Sequence, residues 1–228
     1  MRSQLWPYFG QLLTWDKYAA EQIKTAGYYL DQKFDITLNP VAFVNWTPTE
    51  TPYISYLMVV DLYRQLNWQP GMTVNGVKCD ILIGWTGKAD ADRTYAGFSV
   101  TYDSLYKKWA YAAVLKPQRD WADDNLVQHE VSHLYDALDH YSGDPNFNAD
   151  CIMTNRKING TVTIYDRGTY ITVQAGTDVT YITNNYCNTC TQTITSNKSR
   201  FGTWFYSFPP PDYNVPCGGG GGLVPRPK

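Results

Sequence analysis

Residues 124–144 read DNLVQHEVSHLYDALDHYSGD and hold all three histidines of the chain, His129, His133 and His140. Leu126, Val127, His133, Leu134 and Ala137 fall at helical spacing, so the stretch predicts a helix beginning near Asp123–Asp124. Side chains four residues apart on a helix stand one above the other. His129 and His133 can therefore reach one metal ion from the same face, a spacing suited to zinc. Glu130 is rotated about 100° from His129. It stands beside that ion, placed to take a proton from a water held there. The alternative is a surface helix that happens to carry two histidines. Collecting every histidine of the chain in this one stretch argues against it.

A zinc ion that keeps one position open for water takes three protein ligands, so a third must be found. The downstream candidates are Asp136, Asp139 and His140. A helix continuing past His133 would put Asp136 on the shared face. A chain turning away after about Tyr135 would instead bring Asp139 or His140 back onto the metal.

Upstream, QLLTWDKYAAEQIKTAGYYL (11–30) spaces Leu12, Trp15, Ala19, Ile23, Ala26 and Leu30 as an amphipathic helix. FDITLNPVAFVNW (34–46) reads as a strand interrupted near Asn39–Pro40. TPTETP (47–52) is a breaker, with Thr51 as N-cap and Pro52 at the first position of a second helix over about 53–67. That helix carries Ile54, Leu57, Met58, Leu62 and Leu66. GMTVNG (71–76) is a turn, and KCDILIGWTG (78–87) a buried strand. TYAGFSVTYDS (94–104) and KKWAYAAVLK (107–116) follow as two more strands. This order predicts an α+β sandwich with a mixed sheet. Beyond the histidines, residues 157–185 alternate Val, Ile, Thr and Tyr between turn residues, which predicts two or three antiparallel strands. A solvated hairpin of no function is the simplest reading of them.

The chain has 228 residues, 43% of them hydrophobic, enough for one core or one core plus a small lobe. A formal charge of −2 gives no basic field for nucleic acid or anionic lipid. No apolar run approaches the ~20 residues of a membrane helix. The opening MRSQLWPYFG has no apolar stretch of signal-peptide length. The tail GGGGGLVPRPK (218–228), with an LVPR segment like a thrombin site, reads as partly expression-derived and is left out of the fold reading.

The motif has a specific likeness. His129-Glu130-x-x-His133, followed by Asp139-His140-Tyr141-Ser142-Gly143, resembles the metzincin zinc signature, H-E-x-x-H-x-x-G-x-x-H/D. The DHYSG wording is especially similar to the snapalysin group, whose third ligand is Asp. The resemblance implies that Asp139 completes the first zinc site. It also implies that Cys151-Ile152-Met153 is a Met-turn, with Met153 as a packing floor under the metal. Archaemetzincins carry a Cys after the third ligand, then C-x-M, then C-x-x-C, and these four Cys hold a structural zinc. His140, Cys151, Cys187 and Cys190 stand at those positions here, so a second zinc is implied for them. The likeness covers 124–194 at motif level.

The chain also departs from the pattern. Asp136 occupies the place where metzincins put a turning Gly, and the stretch from Met153 to Cys187 is long for an archaemetzincin. Asn155 stands where some metzincins offer a Tyr to the oxyanion. Tyr135, Tyr141 or a strand tyrosine are left as candidates for that role.

The resemblance implies an α+β, metzincin-like zincin with a mixed twisted sheet, an active-site helix and a β-rich insertion after the Met-turn. Its catalytic core would span 1–156, the β-rich insertion and C-terminal segment 157–216, and a flexible tail 217–228. The implied activity is that of a monomeric zinc endopeptidase on a peptide or protein substrate, with Glu130 as general base. The substrate would lie extended along a sheet edge in the 94–104 region. Two other classes compete. A binding or structural protein would draw all four zinc positions from the chain, with His140 or Asp136 closing the first site. A zinc hydrolase of small amides or esters would differ only in cleft shape.

The five cysteines, Cys79, Cys151, Cys187, Cys190 and Cys217, cannot all pair within one chain. The abundance of Tyr, Thr and Asn suggests a secreted or surface protein, where a disulfide of Cys151 with Cys187 or Cys190 is the alternative to zinc. Zinc-bound thiolates suit the cytoplasm. Cys79 is expected as a buried strand residue.

Overall fold

A computed structural model describes residues 6–8, 11–13, 15–49, 56–74, 76–86, 97–116, 120–141, 150–154, 162–166, 169–173 and 183–201. The first two strands, β1 (Trp6–Tyr8) and β2 (Gln11–Leu13), pair antiparallel with each other. Helix α1 runs Trp15–Phe34 rather than 11–30. It extends past Leu30 because Ala26, Leu30 and Phe34 continue one buried stripe at four-residue spacing. It stops at Asp35, which takes a left-handed φ of 57°. The Asp35 N–H then donates to the Asp31 carbonyl at 2.9 Å, and Ile36 N–H reaches the Leu30 carbonyl at 3.5 Å.

The strand expected over 34–46 does not form; residues 35–49 have no regular secondary structure. The turn at Asp35 sends the chain back along α1, where Ile36 and Leu38 pack into the same core as Ala26 and Leu30. Val41, Phe43 and Val44 stay exposed. Their β-branched and aromatic side chains favour extended backbone, but a strand also needs a partner, and this segment has none among the described residues.

Helix α2 spans Tyr56–Gln65 and ends two residues before the expected 67; Thr51, Pro52 and Ile54 lie outside the described residues. Met58, Val59, Leu62 and Tyr63 face inward, whereas Leu57, expected on the apolar face, is exposed. The expected turn at 71–76 is mostly strand. β3 (Met72–Val74) pairs with β4 (Val77–Cys79) around Gly76 at φ 80°. The single strand expected over 78–87 therefore breaks at Asp80–Ile81, and its second half becomes β5 (Leu82–Trp85). Cys79 is buried in β4, as expected.

β6 (Gly97–Asp103) and β7 (Lys108–Leu115) complete the main sheet, in the order β5-β7-β6. β5 runs parallel to β7 and β6 antiparallel, so the sheet is mixed. Alternation along β7 fills two cores. Ala110, Ala112 and Val114 pack with α2, and Leu115 packs on the opposite face with α1. Helix α3 (Asp120–His133) joins α1 on that second face. The fold is α+β, with the sheet between α2 on one side and α1 and α3 on the other.

Downstream, β8 (Val162–Asp166) and β9 (Thr169–Val173) form an antiparallel hairpin within the segment expected to be β-rich. Helix α4 (Asn188–Asn197) forms despite its β-branched threonines, and a 3-10 turn over Lys198–Arg200 follows it. Its start is capped by Cys187, whose sulfur accepts from the Cys190 N–H, and it is anchored by buried Cys190 and Ile194. Among the described residues no helix is long and apolar enough to cross a membrane.

Candidate functional site

Every residue of α3 from Asp124 to His133 is buried. An amphipathic helix would leave its polar side chains in water, so here each needs a partner inside the protein. Asn125 and Gln128 donate to Asn184, to its side-chain oxygen at 2.5 Å and its carbonyl at 3.1 Å respectively. Ser132 shares a 2.7 Å hydrogen bond with the Tyr186 hydroxyl. The two histidines are held by backbone carbonyls. His129 Nδ1 lies 2.9 Å from the Ile152 carbonyl, and His133 Nδ1 lies 2.7 Å from that of Ala137. A carbonyl can only accept, so each Nδ1 carries a proton, and each Nε2 is left to face a metal ion or the Asp139 carboxylate.

Those two Nε2 atoms are 3.0 Å apart, and Asp139 Oδ1 lies 3.2 Å from the first and 3.5 Å from the second. Nitrogen and oxygen ligands ~2.0–2.1 Å from a tetrahedral zinc are about 3.3 Å from one another. The triangle therefore fits a metal of that size. Without an ion, burial alone would push the Asp139 carboxyl upward; the charge of His133 and hydrogen bonds from both histidines outweigh this and hold it well below the ordinary carboxylate range. Burial opposes the charge on His133, but the Asp139 carboxylate overrides it and pushes the imidazole up to about 9.

The chain reaches Asp139 because α3 ends abruptly. Asp136 adopts φ 66°, its N–H donating to the His133 carbonyl at 2.9 Å, while Ala137 N–H reaches back to Ser132 at 3.2 Å. This pair of bonds is a Schellman turn, usually built on Gly. Asp136 accepts the left-handed backbone, and its carboxylate is gripped by the Arg200 guanidinium, which also donates to the Leu134 carbonyl at 3.0 Å. Of the three candidates for the third position, Asp139 joins the histidines. Asp136 and His140 are engaged elsewhere.

Glu130 leaves α3 toward β6, an edge of the sheet among the described residues. Ser99 Oγ is within hydrogen-bond distance of both Glu130 Oε2, at 2.5 Å, and the Glu130 carbonyl, at 2.9 Å. A Cβ added at Gly97 would lie 2.5 Å from Glu130 Oε1, so this strand position has room only for hydrogen. Burial raises the Glu130 pKa, against the lowering pull of His129, His133 and the Ser99 bond. Ser99 and Gly97 escaped the sequence reading. The signal available was a glycine inside an otherwise bulky strand.

A second group gathers next door. His140 Nε2 lies 3.0 Å from Cys190 Sγ and 3.3 Å from Cys187 Sγ, and Cys151 Sγ lies 3.9 Å from Cys190 Sγ. All four residues are buried, and their ligand atoms lie within 4.8 Å of one another. A disulfide would need ~2.05 Å between sulfurs, whereas thiolates sharing a tetrahedral zinc at ~2.3 Å stand about 3.8 Å apart. Cys79, Cys151, Cys187 and Cys190 are all free thiols. The hydrogen bond shared by Cys151 and Cys190 draws the Cys151 thiol down to about 4 and pushes Cys190 up.

The turn from Cys151 to Thr154 connects the groups. It is closed by Thr154 N–H to the Cys151 carbonyl at 2.9 Å, and His140 N–H donates to Met153 at 2.8 Å. Met153 is fully buried, in the core that also holds Val127 and Val131 of α3. Tyr141 donates to Asp139 Oδ2 at 3.1 Å, and Tyr135 packs edge-on against Phe201. Ser142, Gly143, Asn155 and Cys217 lie outside the described residues. Among the described residues the chain thus brings together two groups that could each hold a metal ion, three ligands in one and four in the other. No protein-family model and no curated protein matches the chain.

Proposed function

We propose that the protein is a zinc-dependent endopeptidase of metzincin type. The observation that carries this reading is the ligand count: three inward-facing donors, His129, His133 and Asp139, with a buried carboxylate on the residue next to the first. A purely architectural first site would need a fourth donor. Both candidates for it are taken, Asp136 by Arg200 and His140 by the cysteines.

When bound, zinc supplies Lewis acidity toward water and toward a substrate carbonyl. The chain does the rest. Ile152 and Ala137 fix the histidine tautomers, and Asp139 contributes the negative charge that favours a cation. Glu130, held at Ser99, accepts the proton of the attacking water and returns it to the leaving amine. β6 is an edge of its sheet among the described residues, so an extended peptide can add to it as a further strand beside Glu130. His140, Cys151, Cys187 and Cys190 would hold a second, structural zinc.

Two measurements test this. Glu130→Gln should cut hydrolysis of an unstructured protein such as casein by about 10²–10⁴-fold with zinc content unchanged; undiminished turnover sinks the mechanism. For the second zinc, chelation without reductant should expose three additional reactive thiols, Cys151, Cys187 and Cys190, and finding them oxidised ends that part of the reading.

A further inference from the structure

The four residues of the cysteine-containing group come from three separate stretches of chain, and each stretch also grips the helix that carries the other group. His140 follows Asp139 directly, and its N–H is bonded to Met153. Cys151 precedes Ile152, whose carbonyl fixes the His129 ring at 2.9 Å and whose N–H donates to the Asn185 carbonyl at 2.8 Å. Cys187 follows Tyr186, whose hydroxyl meets Ser132 beside His133, and Asn184 just before it takes the hydrogen bonds of Asn125 and Gln128. The His133 anchor, by contrast, is local to the helix end at Ala137.

Two parts of the three-ligand site therefore come from beyond α3 and the turn that ends it: the Asp139 carboxylate and the carbonyl that orients His129. Both hang on residues adjacent to ligands of the four-ligand site. An ion joining His140, Cys151, Cys187 and Cys190 would lock those neighbours together; without it, the ligand side chains meet through weak thiol hydrogen bonds, and the three stretches are tied by backbone bonds such as His140 to Met153 and Ile152 to Asn185.

We propose that the His140/Cys151/Cys187/Cys190 site is the organiser of the His129/His133/Asp139 site, so that metal in either raises the affinity of the other. Coupling of two binding equilibria is reciprocal, and the same factor must appear in both directions. Orienting partners of metal ligands are typically worth 10–100-fold in affinity, and a factor on the order of 10- to 100-fold is expected here. The proposal needs only that both groups bind metal and stands whether or not the protein cleaves peptides.

The test uses the whole chain and metal alone. Zinc affinity is measured by competition with a chromophoric chelator. Cobalt reports the four-ligand site separately, because only thiolate ligands produce its intense near-ultraviolet charge-transfer band. Wild type should bind two ions. Cys190→Ser should lose the charge-transfer band and hold its one remaining zinc on the order of 10- to 100-fold more weakly. In the reciprocal arm, Asp139→Asn leaves all four ligands of the second group intact and should weaken cobalt at the thiolate site by a similar factor. Should Cys190→Ser fail to fold, the Asp139→Asn arm decides alone. Unchanged thiolate-site affinity in Asp139→Asn, unchanged residual affinity in a folded Cys190→Ser, or binding of a single ion by wild type would each overturn the proposal.

Discussion

The two candidate metal groups sit side by side but are built in different ways. In the first, His129 and His133 come from one helix, four residues apart, and only Asp139 arrives from outside it. In the second, His140, Cys151 and the Cys187/Cys190 pair converge from three stretches that span fifty positions of sequence. A helix sets its own side-chain spacing whatever the rest of the chain does. A site assembled from distant stretches exists only when the fold has closed, so an ion bound there adds its binding energy to folding. One group is thus carried mainly by a single helix, and the other joins stretches that only the closed fold brings together.

The largest expected effect strikes at that division. Cys190→Ala should destabilise the metal-loaded protein by about 4–5 kcal/mol or more, in the range of a lost structural metal. In a chain of this length that is roughly 10 °C or more in melting temperature. Asp139→Asn, similar in size, leaves the four ligands of the second group intact and weakens that group only through the coupling, so it should shift the midpoint less. Equal midpoints for the two variants, read by differential scanning calorimetry with zinc present, would remove the distinction.

A second effect sharpens what the helix-borne group depends on. In Gly97→Ala the new methyl meets the Glu130 carboxylate and must displace it. A misplacement of about 1 Å costs on the order of 10²-fold in rate, so hydrolysis should fall by that much while zinc content stays that of wild type. Ser99→Ala removes only the hydrogen bond to Glu130 and should cost about 10-fold, the low end for a bond to a charged group. If Gly97→Ala retains full activity, the edge strand does not position the carboxylate.

The smallest effect concerns the turn. Asp136→Gly should relieve the left-handed backbone, worth roughly 1 kcal/mol, and lose the Arg200 ion pair. The Asp136 side chain is 44% exposed, which screens that pair to about 0.2–1 kcal/mol. The two nearly cancel, and the melting temperature should move by no more than about 3 °C. A large loss would mean that Arg200 holds the turn, and through it Asp139, in place.

The histidine pair was legible because its spacing and its geometry are the same fact. The left-handed turn at Asp136 was legible as a departure, an Asp where a Gly is usual, but its compensation by Arg200, sixty-four residues away, was not. The strand expected over 34–46 failed for a related reason. Phe34–Trp46 has the composition of a strand, yet Asp35 turns it back along α1, and no neighbouring strand satisfies its backbone. Helix α4 shows the opposite balance: its threonines disfavour a helix, while the Cys187 cap and the burial of Cys190 and Ile194 stabilise one.

By itself the sequence determined what is local or periodic: the α3 helix and its two histidines, the mixed character of the sheet, and the grouping of His140 with the C-x-x-C pair through a likeness to known spacing. Tertiary structure alone decided the rest. It turned the helix off at His133, so that Asp139 and not Asp136 meets the imidazoles. It brought the Ile152 carbonyl to His129, and it placed Ser99 and Gly97 of β6 against Glu130. The physical reason is that hydrogen bonds and close approaches between distant segments depend on how elements pack, and no spacing along the chain encodes a distance across it.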